Sequence, residues 1–154
     1  MQPKLLKLTD TLTPDLTRKL KAVQNRAGVL RAMGQQVKSM ARAAFTESEL
    51  RPSTWATRKQ EPKDGHRLLL GTSQPKGKAS PPMLRGSIRV LSFDNTRVVI
   101  GSDRPYAAAH QLGSPKNNLP ARPFLPLFPS GALTPEGQKR VGRVLTAWLK
   151  ARGL

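Results

Sequence analysis

Four prolines stand at every third position of one eleven-residue run, Leu119 to Pro129 (LPARPFLPLFP). Each removes a backbone donor and fixes φ, so the run can be neither a helix nor a central strand. It reads as a rigid extended segment. Its Phe124, Leu125, Leu127 and Phe128 need a core supplied by elements on either side of it.

Those elements are legible. Residues 14 to about 48 predict one long helix, because Leu16, Leu20, Val23, Ala27, Leu30, Val37, Met40 and Ala44 follow one another at steps of three, four or seven. Thr13 suits the cap, Pro14 the first helical position and Asp15 the positive end of the dipole. Gly28 and Gly34 lie inside, each costing about 1 kcal/mol against Ala, so a bend or a close backbone contact is expected there. Arg18, Lys19, Lys21, Arg26, Arg31, Lys38 and Arg42 occupy mainly the remaining face. Residues 51–82 read as a loop-rich stretch with Pro52, Pro62, Pro75, Pro81 and Pro82, in which Trp55 and Leu68 to Leu70 are the core candidates.

Ser87 to Phe93 and Arg97 to Ser102, joined by Asp94, Asn95 and Thr96, predict an antiparallel hairpin at about 87–102. Both faces are apolar, Ile88 and Val90 on one and Leu91 and Phe93 on the other. That implies either a sheet covered twice or a bulge that shifts its register. A third strand near residues 67–71 is expected, since an isolated hairpin is marginal. A short helix at about 105–112 stops at Gly113. The last element is a helix from Pro135 to about Arg152, capped by Thr134. Its Val141, Val144, Leu145, Trp148 and Leu149 form one apolar face, expected to dock on the sheet. The reading is an α+β chain, residues 1–154 as a single domain.

Composition narrows the function. Lys and Arg number 27 against 9 Asp and Glu, a formal charge of +18. The excess is spread along the chain, as in a folded body with a positive field rather than a basic tail, and it points to a polyanion or an acidic protein surface nearby. Cysteine is absent and there are two histidines, which leaves few groups for metal or acid–base chemistry. His110 has Asp103 as its nearest carboxylate in sequence and no nucleophile motif around it, so a buried, hydrogen-bonded role is favoured over catalysis. Gly71 with Gly77-Lys78 fails as a phosphate loop: five residues separate the glycines and Ala79 stands where a hydroxyl is needed. No catalytic residue, metal, cofactor or small-molecule substrate is expected. With no apolar run of about 18 residues and no signal-peptide pattern, neither is a membrane; the chain reads as soluble and made in the cytosol.

Particular strings then suggest a family. Arg104-Pro105-Tyr106-Ala107-Ala108-Ala109-His110-Gln111-Leu112-Gly113, followed by a polar loop, Leu119-Pro120-Ala121-Arg122-Pro123-Phe124-Leu125 and a terminal amphipathic helix, resembles the phage virion morphogenesis, or tail-completion, family of tailed phages. Met83-Leu84-Arg85-Gly86-Ser87-Ile88 is similar to the family's lead into its first strand, and Ile100-Gly101-Ser102 to its second-strand ending. Trp55-Ala56 with Arg58-Lys59 is a looser likeness; Pro52-Ser53-Thr54 departs from the family's Asp-Gly, and Gln74 to Pro82 looks like an enlarged loop.

The resemblance implies a non-enzymatic virion protein, made in the host cytoplasm and placed at the neck or head-proximal tail end. Its implied work is tail completion and head–tail joining as a homo-oligomer, commonly a hexameric ring, around the DNA channel. Implied partners are other neck and tail proteins (connector, tail terminator or tube) and channel DNA held by non-specific electrostatics. Tyr106, His110, Gln111, Gly113, Pro120, Arg122, Pro123 and Phe124 would form the motif that shapes an assembly interface. Candidate DNA- or partner-facing cations are Arg18, Lys19, Lys21, Arg26, Arg31, Lys38, Arg42, Lys76 and Lys78. Two rival readings remain: a monomeric basic nucleic-acid-binding module, supported by charge and size, and a hydrolase using His110.

Overall fold

The computed structural model describes residues 12–56 and 83–154. The expected strand at 67–71, the core candidates Leu68 to Leu70, the 74–80 loop, Arg58, Lys59, Lys76 and Lys78 lie outside the described residues.

The long N-terminal helix is two helices. α1 spans Leu12–Gln24 and α2 spans Ala27–Ala43. The break falls at Asn25 and Arg26, just ahead of Gly28, and its cause is tertiary: the Ala27 amide donates to the Asn95 side chain of the hairpin turn, 2.9 Å away, where an unbroken helix would use the carbonyl four residues back. α2 also ends earlier than the periodicity suggests. The Thr46 and Glu47 amides both return to the Ala43 carbonyl, and a 3-10 turn follows at Ser48–Leu50.

The hairpin consists of β1 (Arg89–Phe93) and β2 (Val98–Gly101), preceded by the one-turn helix α3 (Leu84–Ser87). Ser87 therefore sits in a helical turn instead of a strand, its hydroxyl on the Leu84 carbonyl at 2.8 Å and on the Ser102 hydroxyl at 2.6 Å. The two apolar faces are resolved by a bulge. Val90 opposes Ile100 and Phe93 opposes Val98, with the register shifting between Val90 and Ser92. Ile100 and Val98 share one side of β2, so Val90 and Phe93 also share a face despite their odd spacing. That face meets α2: the Arg31 guanidinium lies 5.3 Å from the Phe93 ring centre. Leu91 and Val99 remain on the outside. In the turn, Asp94 accepts from the Thr96 hydroxyl and from the Thr96 and Arg97 amides, and these bonds hold its carboxyl down at about 2.

α2 approaches the sheet closely at Gly34, where an added Cβ would lie 2.5 Å from Val98 Cγ2. Close contact at Gly34 is thus one of the two outcomes the sequence suggests. Near the other end, one Nη of Arg42 donates to the Gly86 and Ile88 carbonyls, 2.9 Å each, and ties α2 to the start of β1.

α4 spans Ala107–Leu112 and α5 spans Pro135–Lys150. Thr134 caps α5 as the sequence indicates, its hydroxyl accepting from the Gly137 amide at 3.2 Å, with Pro135 in the first turn. The docking partner differs from the expectation. α5 packs on α2 and the 3-10 turn, while the sheet packs on α2, so α2 lies between the two layers. Among the described residues the sheet has two strands, and α2 occupies the face that Gly34 approaches, so α5 seats on another side of α2. Val37, Met40, Ala44, Leu50 and Val141 form the α2–α5 core; Ala41, Phe45, Leu84, Ile88, Ala107 and Phe124 form the other, and Ile100 touches both.

Candidate assembly site

The motif residues converge where α4 and the proline-rich run lie side by side. α4 ends at Gly113, whose φ of +81° favours glycine; a Cβ there would also lie 3.1 Å from the Ala121 nitrogen. The chain then reverses. Ser114 and Leu119 exchange backbone hydrogen bonds of 2.8 and 3.0 Å around a small loop containing Asn118 at φ 50°.

The returning segment runs back along α4. Between Pro120 and Pro126 only Ala121, Arg122, Phe124 and Leu125 keep an amide N–H. Three of these are received by α4. The Arg122 amide donates to the His110 carbonyl at 2.7 Å, and the Phe124 and Leu125 amides both donate to the Gln111 side-chain oxygen at 3.0 Å. The two motifs therefore depend on each other: the prolines remove three of the seven backbone donors from Pro120 to Pro126, and one glutamine oxygen accepts two of the four that remain.

Held there, Phe124 is 3% exposed and its ring lies 5.7 Å from that of Phe45. Trp55 closes the other side, its indole N–H on the Pro123 carbonyl at 2.8 Å and its ring edge-on to Phe45 at 5.5 Å. Arg51 covers Trp55, with the guanidinium 4.0 Å from the ring centre and Nε on the Ala44 carbonyl at 2.6 Å. Arg122 reaches the Ala56 carbonyl at 3.4 Å. The sequence marked Trp55 as a core candidate without indicating its partner, and gave no sign of Arg51, whose role depends on the turn after α2.

Tyr106 stands at the rim, edge-on to His110 with ring centres 6.0 Å apart. His110 is partly buried. Pro120 is exposed and, with Leu112, Pro115 and Leu119, lines an open hollow of about 640 Å3. Leu112, inside the motif, is 76% exposed.

The candidate cations do not form one free face. Arg18 and Lys19 pair with Asp15 at 2.6 and 3.3 Å and hold its carboxyl below its ordinary value, the Lys19 hydrogen bond contributing most. Arg31 lies over Phe93, Lys38 donates to the Gln35 side chain at 2.9 Å, and Arg42 is tied to carbonyls. Lys21 and Arg26 are exposed.

The geometry defines a small α+β scaffold whose motif residues are spent on holding a rigid segment in place. The chain belongs to the phage virion morphogenesis family, whose model matches residues 7–150, nearly all of it. It is accordingly a virion-associated morphogenesis protein. No curated protein and no solved structure gives a significant match.

Proposed function

We propose that this chain completes the tail and joins it to the head at the neck of a tailed phage, as a non-enzymatic subunit of a hexameric ring around the DNA channel. Family membership across nearly the whole chain carries the reading. Two physical features support it. The motif hydrogen bonds go to backbone amides, so the clasp yields shape, and its exposed rim of Tyr106, Leu112 and Pro120 is available to a neck or tail neighbour. α1 carries Leu16, Leu20 and Val23 on one stripe, 50%, 63% and 50% exposed, with no extensive packing against another described element. A helix of 13 residues is marginal by itself. In a ring, a neighbouring copy covers that stripe.

The test is to delete the gene from its phage and image the lysate. Filled heads beside unattached tails, or tails with faulty ends, are expected; normal particles would overturn the reading. A purified chain that stays monomeric and grips duplex DNA tightly would favour the nucleic-acid module instead.

A further inference from the structure

Most cations put forward by the sequence are engaged within the fold, which directs attention to those that are not. On α5, Lys139, Arg143 and Lys150 are exposed and make no hydrogen bond or ion pair with a described residue. With Thr146 they fall within about 60° of helical arc and along ~16.5 Å of axis. The stripe lies about half a turn from Val141, Val144 and Trp148, which face the molecule's interior. The one carboxylate beside it, Glu136, is bound by Arg140 at 2.7 Å. That bond, with the charges of Lys139, Arg140 and Arg143, lowers the Glu136 carboxyl, which stays ionised but paired. Where α5 meets α2, Gln36, Arg140 and Arg143 help line an open hollow of about 460 Å3 at the edge of the stripe.

We propose that this stripe, Lys139–Arg143–Thr146–Lys150, is the surface on which the protein meets the phosphate backbone of duplex DNA, without reading sequence. The assignment rests on the proposed function, in which DNA passes the assembled chain, and names the face that meets it. Chemistry separates DNA from an acidic protein here. Protein interfaces are anchored by aromatic or large apolar groups and are poor in lysine. Within this arc the side chains are Lys139, Arg143, Thr146 and Lys150, all donors suited to phosphate oxygens. A rigid row of uncommitted cations is what counterion release requires.

The experiment measures binding of the full chain to a labelled random-sequence duplex by fluorescence anisotropy across a salt series. Removing three phosphate contacts in K139A/R143A/K150A should make the log–log salt slope shallower by about 2.7 and weaken binding about 10- to 100-fold near physiological salt. A charge-matched control, R89A/R97A/K116A, should change the slope by less than about 1. Circular dichroism melting confirms that both variants fold. Equal slope losses in the two would assign binding to the diffuse field of the molecule and overturn the proposal, as would wild-type affinity in the stripe variant. Stripe-dependent binding to polyglutamate that is tighter than binding to DNA would also overturn it, in favour of an acidic protein. DNA affinity is read separately from particle joining: a stripe that fails leaves the deletion result standing, and a phage that assembles without the gene refutes the neck role whatever the stripe binds.

Discussion

At the residue scale, single atoms decide matters that side-chain class does not. Gln111 matters for one oxygen. Replacing it with Ala strands the Phe124 and Leu125 amides and should cost about 1–3 kcal/mol in denaturant unfolding, whereas Gln111→Glu keeps the acceptor and should cost less. The two α2 glycines, alike in sequence, should respond with opposite signs. Gly34→Ala drives a methyl into Val98 and should destabilise by about 1–3 kcal/mol. Gly28→Ala meets nothing within 4 Å and should gain about 0.5–1 kcal/mol of helix propensity. Asp94 gives a pH dependence. Its folded value of about 2 is below its ordinary 3.8, so its contribution is complete above the ordinary value and disappears as pH falls through about 2. Between pH 4 and 2, the wild type should therefore lose stability relative to Asp94→Asn, as followed by thermal melting.

At the element scale, caps and prolines carried most of the legible information. Thr134 and Pro135 fixed the start of α5 because capping is local chemistry, and proline spacing fixed the extended run because it concerns missing donors. Helix continuity was not legible at Asn25, since the competing acceptor, Asn95, is far away in sequence. Nor was the partner of α5: an apolar face specifies that it is buried but not against what, and Leu145 on that face is left 37% exposed. The motif was legible as a string, but its chemistry required seeing α4 beside the proline-rich run. For α1, Leu16→Ser with Leu20→Ser should leave monomer melting almost unchanged, within about 0.5 kcal/mol, because those side chains touch little in the described fold. The same variant should lose self-association in sedimentation; unchanged assembly would remove α1 from the ring contact.

At the scale of the whole molecule, a charge of +18 per copy opposes assembly. Raising salt from ~0.1 M to ~1 M shortens the screening length from about 10 to about 3 Å. If apolar contacts close the ring, DNA-free self-association should strengthen over that range in sedimentation velocity. Weakening would mean that ionic pairs hold the copies together. The sequence alone determined what is local or additive: the helical periods, the caps, the hairpin, the donor-poor proline run and the net charge. Tertiary structure decided what depends on distant partners: the helix break at Asn25 and Arg26 opposite Asn95, the bulge that brings Phe93 onto the face of Val90, the choice of α2 as the seat of α5, and which cations are left free. The division has one physical cause, because propensity and charge are carried by each residue along the chain, while a hydrogen-bond acceptor or a packing surface exists only once the fold has brought it there.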